Sequence, residues 1–151
     1  MRKTRADINK PFQIGFSVLE WSKLTMFRFY ALLKRSFGER VRMLYTDTDS
    51  FFLQFFVEDL AEEINSRAEL RAAFDFSEIP LGHRIGLGCP DDPNGGVVGY
   101  FKDECKGDPI VEFVGLRPKM YSFTVCAANP TPPAADTVYT VYTTFILVST
   151  M

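Results

Sequence analysis

The sequence is poor in the side chains that build zinc centres and secreted disulfide scaffolds. It contains one histidine, His83, and three cysteines, Cys89, Cys105 and Cys126, with no Cys-x-x-Cys pair among them. A zinc site needs closely spaced ligands and a disulfide framework needs an even set of cysteines, so neither is expected. We expect Cys105 and Cys126 to pack as small apolar side chains.

A strong charge of one sign is also absent, as is any long apolar run. The net charge is −2 and the pI about 5.4, whereas a stand-alone nucleic-acid-binding domain is normally basic. No apolar stretch has the length needed to span a bilayer, and the start of the chain lacks the apolar core of a secretory signal. We therefore expect an intracellular protein that is not secreted and has no membrane partner.

The chain is rich in apolar and aromatic side chains. Hydrophobic residues make up 46% of its 151 residues, and 15 residues are phenylalanine. This composition predicts one packed domain, which we place at residues 1–126. Residues 127–151 begin with a spacer rich in proline and alanine, so we predict that they form an unrelated, disordered tail.

The apolar pattern predicts a mixed α+β fold. Residues 13–37 carry apolar side chains at steps of three and four between Pro11 and Gly38, which predicts a long helix buried on more than one side. Residues 58–73 predict a second, amphipathic helix. We expect an antiparallel sheet with a central hairpin, backed by the long helix. The apolar runs that predict its strands are residues 41–45, 51–57, 97–104, 110–115 and 119–125.

Two aspartates are the strongest chemical signal. Asp47 and Asp49 lie in the string Tyr-Thr-Asp-Thr-Asp-Ser at residues 45–50, between the first two predicted strands. Two acids at such a tip are costly unless a cation matches them, and Mg²⁺ prefers carboxylate oxygens. A magnesium site would support chemistry on phosphates, provided that the carboxylates are not turned apart or buried against a lysine or arginine. Asp-x-Asp alone, however, is more often a structural turn.

The full string resembles a metal-binding motif of the family B DNA polymerases, carried on a hairpin of their palm domain. Downstream, Lys119-x-Tyr121 is similar to the Lys-x-Tyr motif with which these enzymes hold the primer end. Together the matches resemble the protein-primed branch, most closely the polymerases of Polinton/Maverick-type transposons, with viral and organellar type B enzymes more distant. Shorter matches lie at residues 9–11, Leu24, and residues 74–77 and 101–104.

The resemblance implies a DNA-directed DNA polymerase with a two-metal Mg²⁺ site. Asp49 would be the principal catalytic metal ligand and Asp47 the second one. The implied partners are primer–template DNA, deoxynucleoside triphosphates and, as a further candidate, a terminal protein, and the implied location is the nucleus or a mobile element. Lys119, Tyr121 and Arg117 would contact DNA, while Tyr45, Thr48 and Ser50 would shape the turn.

Part of the family pattern has no counterpart in this sequence. The second catalytic aspartate of an upstream palm strand and the nucleotide-binding helix of the fingers are both missing. We therefore expect a C-terminal palm fragment with an incomplete metal site and negligible activity on its own. Two alternatives remain: a non-enzymatic transposon remnant, and an unrelated metal-binding or interaction domain. The second alternative requires that Asp47 and Asp49 lie away from a hairpin tip.

Overall fold

The computed structural model describes residues 11–85, 92–125 and 143–150, the last of these through their backbone. Helices and a largely antiparallel sheet occur together, which confirms the predicted α+β class. The elements, apart from a short 3₁₀ turn at Gly38–Arg40, are α1 (Phe12–Phe37), β1 (Val41–Asp47), β2 (Ser50–Phe56), α2 (Leu60–Ser66), α3 (Ala68–Arg71), β3 (Phe74–Asp75), β4 (Phe101–Asp103), β5 (Ile110–Arg117), β6 (Met120–Val125) and β7 (Thr143–Thr150).

The strands are arranged in the order β1-β2-β7-β4-β3. Neighbours in this order are antiparallel except for β3 and β4, which run parallel. Strands β5 and β6 form a separate antiparallel hairpin that joins β7 at one pair, Ile110 and Phe145. The predicted hairpin, β1–β2, is therefore fixed along one edge by β7, and along the other edge no strand of the described residues pairs with it.

Strand β7 corrects the prediction of a disordered tail for residues 143–150. It pairs along the whole of β2, from Ser50 with Ser149 to Phe56 with Thr143, and its far edge pairs with β4. The run Phe145–Val148 has high strand propensity, and β2 would otherwise present open hydrogen-bonding groups along that edge. Residues 126–142 lie outside the described residues, and the domain boundary after residue 126 stays a prediction.

Helix α1 confirms the long predicted helix. It begins at Phe12, after Pro11, and ends at Phe37; Gly38 follows with a φ of 59°, in the left-handed region that glycine adopts without strain. The buried side chains of α1 all belong to its C-terminal half. Phe29 is the centre of this contact, because its ring stacks on Phe101 at 3.7 Å and meets the edge of Phe74 at 5.4 Å. The buried residues of α1 are Met26, Phe29, Leu33 and Phe37.

The prediction that α1 is buried on more than one side is wrong. Trp21 is 65% exposed and Phe27 is 71% exposed, and the first turns of the helix are exposed all round. The reason is geometric: the described sheet lies against the last turns only. Within the described residues no helix, α1 included, has the length and apolar character to cross a bilayer. The exposed large apolar residues of α1 are Phe12, Ile14, Phe16, Val18, Leu19, Trp21, Leu24 and Phe27.

The second predicted helix is divided into α2 and α3. The break lies at Arg67, whose backbone is extended at φ −109° and ψ 105°. Its guanidinium donates hydrogen bonds to the Ser36 carbonyl and to the Glu63 carboxylate, and it lies over the Phe37 ring at 5.1 Å. Contacts with the end of α1 thus override the local helical preference. The apolar pattern of residues 58–73 could not indicate these contacts.

The strand predicted at residues 97–104 begins only at Phe101. Gly99, at φ 100°, lies in the turn that precedes it, and a positive φ does not continue a strand. The last two predicted strands are confirmed as β5 and β6, although Lys119 lies in the turn between them rather than in β6. Asn9, Lys10, Cys89 and Cys126 lie outside the described residues, so the predictions made for them are unchanged.

Two carboxylates are buried in this fold, and their surroundings act on them in opposite ways. Asp75 is 1% exposed; burial raises its pKa, but hydrogen bonds from Ser77 and from the Gly96 N–H outweigh burial and hold the pKa below its usual range. Asp103, which follows Lys102 in β4, accepts the N–H groups of Cys105 and Gly107 at 2.9 and 2.8 Å. Burial nevertheless dominates there and raises the pKa of Asp103 to about 6.

Because burial differs along α1, substitution of two phenylalanines that are two residues apart should change the free energy of unfolding by unequal amounts. Phe29→Ala removes a ring that is 3% exposed, so we expect the free energy of unfolding to fall by about 3–5 kcal/mol. Phe27→Ala should change it by no more than about 0.5 kcal/mol, because that ring is exposed. Urea unfolding followed by circular dichroism measures both. Equal losses would contradict the one-sided burial of α1.

The raised pKa of Asp103 predicts that stability falls as the pH rises from about 4 to about 6. In that window the folded protein holds a proton on Asp103 that the unfolded chain, with a pKa near 3.8, has released. The loss is about 3 kcal/mol at most, since one pKa unit is worth about 1.4 kcal/mol. Asp103→Asn should remove this slope. Asp75→Asn is the control, because the lowered pKa of Asp75 changes the stability only below about pH 4.

Candidate metal and nucleic-acid site

The tip of the β1–β2 hairpin is a tight, strained turn that carries the two aspartates. Asp47 ends β1, Ser50 begins β2, and the Asp49 N–H donates to the Asp47 carbonyl at 2.5 Å. Thr48 between the aspartates has a φ of 53°. A positive φ is a strained conformation for a β-branched residue. The predicted tip placement of both aspartates is confirmed.

Hydroxyl groups of the motif hold this turn together. Ser50 Oγ donates to the Asp47 carbonyl at 3.2 Å, and Thr46 Oγ1 donates to the Ser50 carbonyl at 3.0 Å. Thr48 Oγ1 lies 3.3 Å from Asp47 Oδ1, to which it donates. The side chains on both sides of the acids therefore fix the strained backbone and orient one carboxylate.

A β-bulge decides which face of the hairpin carries Asp47. Met43 pairs with Leu53 but Tyr45 pairs with Phe52, so Leu44 is an extra residue in β1. Leu53 belongs to the core packed on α1, whereas Phe52 contacts the β5–β6 hairpin on the opposite side. Because one extra residue exchanges the two faces of a strand, the bulge turns Tyr45 and Asp47 toward β5–β6. Without it, alternation would direct Asp47 to the face that carries α1.

The tip of the β5–β6 hairpin meets the aspartate tip. Arg117 pairs with Met120, so Pro118 and Lys119 form a two-residue turn, with Lys119 at φ 61°. The Lys119 N–H donates to Tyr45 Oη at 2.8 Å across 74 positions of sequence. Lys119 Nζ donates to Asp47 Oδ2 at 3.1 Å. The two sequence motifs are therefore joined by two direct hydrogen bonds.

An aromatic cluster holds the two hairpins against each other. Phe52 lies at its centre, 1% exposed, with the rings of Phe113, Tyr121 and Phe123 at centroid distances of 4.8, 5.0 and 5.3 Å. The Tyr45 ring lies 5.0 Å from that of Tyr121. Such pairs each contribute about 0.5–1.5 kcal/mol beyond the burial of their area. Tyr121, predicted to bind DNA, is thus also a packing residue, although 41% of it remains exposed.

The two aspartates differ in their electrostatic surroundings. The hydrogen bond with Asp47 raises the pKa of Lys119, so the lysine is protonated at neutral pH. This ion pair lies at the surface, with the Lys119 side chain 79% and the Asp47 side chain 29% exposed. Asp47 therefore meets a lysine without being buried against it. Asp49 is exposed, and within the described residues no hydrogen bond or ion pair reaches its carboxylate.

The carboxylates of Asp47 and Asp49 are the candidate metal ligands of the tip. Mg²⁺ is commonly held by one or two carboxylates together with water and substrate phosphates, and the tip supplies two hard oxygen donors at an exposed edge. Within the described ranges no group of three or more histidine, cysteine, aspartate or glutamate side chains is placed to hold a metal.

Several residues of the site were not anticipated from the sequence. Phe113 and Phe123 form the contact between the two hairpins together with Tyr121. The sequence feature that could have indicated this contact is the alternation of these aromatic residues along β5 and β6. The bulge at Leu44 had no signal, because apolar residues surround it. Arg117, predicted to bind DNA, is exposed at the end of β5 beside the Lys119 turn.

Comparisons with protein-family models, curated proteins and solved structures give no match for this chain. The tip places three groups at one exposed edge: the Asp47 carboxylate, which is paired with Lys119, the exposed carboxylate of Asp49 and the exposed ammonium of Lys119. These groups are two hard oxygen donors and one cation.

The link between the hairpins can be tested by removing one hydroxyl group. Tyr45→Phe keeps the ring in the aromatic cluster but removes the acceptor of the Lys119 N–H. We expect the free energy of unfolding to fall by about 0.5–1.5 kcal/mol, the usual net value of one hydrogen bond. Tyr30→Phe is the matched control, because no hydrogen bond of the Tyr30 hydroxyl occurs within the described residues. Urea unfolding measures both, and equal stability of Tyr45→Phe and the wild type would contradict the link.

Proposed function

We propose that this chain is the hairpin-bearing part of the palm of a family B DNA polymerase of the protein-primed type. Its activity in the complete enzyme is deoxynucleotidyl transfer to a primer on template DNA, in the nucleus or within a mobile element. The observation that carries the proposal is the contact between Lys119 Nζ and Asp47 Oδ2 at 3.1 Å. It joins the two motifs that separately resemble the metal site and the primer-binding site of that family.

The arrangement supports chemistry at the end of a nucleic acid strand. The protonated and exposed ammonium of Lys119 suits a phosphate of the primer. Arg117 adds a second cation near the same tip, and the exposed part of Tyr121 suits a sugar or base. A phosphate bound by these groups lies beside Asp47 and Asp49, where metal-assisted phosphoryl transfer needs its carboxylates.

Magnesium is the cation that these donors fit. The carboxylate of Asp49 is open to a ligand, and Asp47 already holds one positive charge, that of Lys119. A magnesium ion held by both would neutralise the charge that develops on the phosphate oxygens. Thr48 Oγ1 orients Asp47, and Ser50 Oγ fixes the turn on which both acids stand.

Two carboxylates from one turn do not complete a two-metal site. The proposal therefore includes a further metal ligand from another part of the complete enzyme, and it gives the isolated chain negligible activity. The tip placement of both aspartates disfavours the unrelated-domain alternative, which needed them elsewhere. The remnant alternative differs from the proposal in that no complete, active enzyme contains this chain.

Metal titration tests the proposed site directly. We expect Mg²⁺ to shift the backbone amide NMR signals of residues 47–50 of the purified chain, and Asp49→Asn to weaken this binding at least about tenfold. Glu20→Gln, which removes an exposed acid on α1, is the matched control and should leave the affinity unchanged. Absence of any Mg²⁺-dependent shift at the tip would overturn the metal site.

Primer extension tests the expected incompleteness of the site. The purified chain should give no detectable extension of a primer–template duplex in Mg²⁺ and deoxynucleoside triphosphates. Extension that depends on Mg²⁺ and disappears in Asp49→Asn would show that the tip suffices for catalysis. That result would contradict the need for a further ligand while supporting the reaction itself.

A further inference from the structure

The backbone of Lys119 is held in place by a hydrogen bond, whereas its side-chain ammonium is exposed to solvent. The hydrogen bond from its N–H to Tyr45 Oη holds the main chain of the turn at 2.8 Å. Its side chain is 79% exposed and burial does not confine it. The ammonium can therefore leave Asp47 by rotation about side-chain bonds, on the nanosecond scale of exposed rotamers, while the hairpin stays in place.

The ammonium of Lys119 occupies a position on the Asp47 carboxylate that a metal cation would otherwise take. Lys119 Nζ lies 3.1 Å from Asp47 Oδ2, and Thr48 Oγ1 occupies Oδ1 at 3.3 Å. A divalent cation that binds Asp47 meets a positive charge already at Oδ2. Lysine and metal therefore compete for one carboxylate, because each positive charge repels the other and lowers the affinity of Asp47 for it.

We propose that Lys119 is an exchangeable internal counter-ion: it neutralises Asp47 in the metal-free protein and is released to bind a nucleic acid phosphate when a divalent cation takes that carboxylate. This inference rests on the proposed function, since it deepens the account of the same site. It makes the metal and the phosphate cooperative ligands, although each is bound by a different residue.

The size of the effect follows from the exposure of the pair. Exposed ion pairs change an equilibrium by up to about fivefold, and a coupling of this kind is reciprocal. Metal binding should therefore raise phosphate affinity by the same factor by which phosphate binding raises metal affinity. A purely structural ion pair has no such consequence, because it would stay closed in every state.

The first test measures metal affinity in the full chain with Mg²⁺ as the probe. Lys119→Met removes the competing charge and keeps the backbone hydrogen bond to Tyr45, so the dissociation constant for Mg²⁺ should fall by about 2- to 5-fold. Lys23→Met is the matched control: Lys23 is also an exposed lysine paired with a carboxylate, Glu20, at 2.7 Å, but it lies on α1. Its Mg²⁺ affinity should equal that of the wild type.

The second test measures DNA binding in metal-free buffer with chelator and a fluorescent primer–template duplex. Asp47→Asn frees Lys119, so the affinity should rise by about 2- to 5-fold. In a Lys119→Met background, Asp47→Asn should raise the DNA affinity by a clearly smaller factor. In that background the substitution only removes a negative charge and releases no lysine. The difference between the two gains isolates the pair, as a double-mutant cycle requires.

The possible outcomes separate this inference from the proposed function. Unchanged Mg²⁺ affinity in Lys119→Met, with metal binding at the tip intact, would overturn the exchange and leave the metal site standing. Equal gains from Asp47→Asn in both backgrounds would also overturn it. Absence of metal binding in the wild type and in Lys119→Met would remove the metal site and the exchange together.

Discussion

The structure depends on the packing of β2, whose two faces bind two different layers. Phe51, Leu53 and Phe55 lie in the core against α1, while Phe52 lies in the aromatic cluster under the β5–β6 hairpin. Since alternate side chains of a strand point to opposite faces, one apolar run serves both layers. Burying each large side chain contributes about 1.5–3 kcal/mol before entropy is counted. The strand that leads out of the aspartate tip is therefore held on both faces.

The bulge at Leu44 converts this packing into a functional arrangement. It leaves Met43 on the face of α1 and moves Tyr45 and Asp47 to the face of the second hairpin. Tyr45 then does two things at once: its ring packs on Tyr121, and its hydroxyl accepts the Lys119 N–H. A single extra residue therefore places the carboxylate and the lysine on the same side of the sheet.

The sequence predicted the features that short-range patterns determine. The limits of α1, the aspartate hairpin and the β5–β6 hairpin follow from periodicity, from Pro11 and Gly38, and from turn residues. Features that depend on contacts between distant parts of the chain could not be predicted from the sequence. Arg67 breaks a helix because it reaches Ser36, and β7 forms because β2 offers an open edge. The exposure of the first half of α1 depends on how far the sheet extends, which no local pattern contains.

Backbone strain in the site coincides with contacts to one carboxylate. Thr48 and Lys119 have φ values of 53° and 61°, where glycine would be the relaxed choice. Each is instead a residue whose side chain donates to Asp47, Thr48 to Oδ1 and Lys119 to Oδ2. Glycine at either position would relieve the strain and lose the donor. Because strained residues persist where the surrounding structure holds them in place, the two turns are held in unfavourable conformations that together supply the two side-chain donors to Asp47.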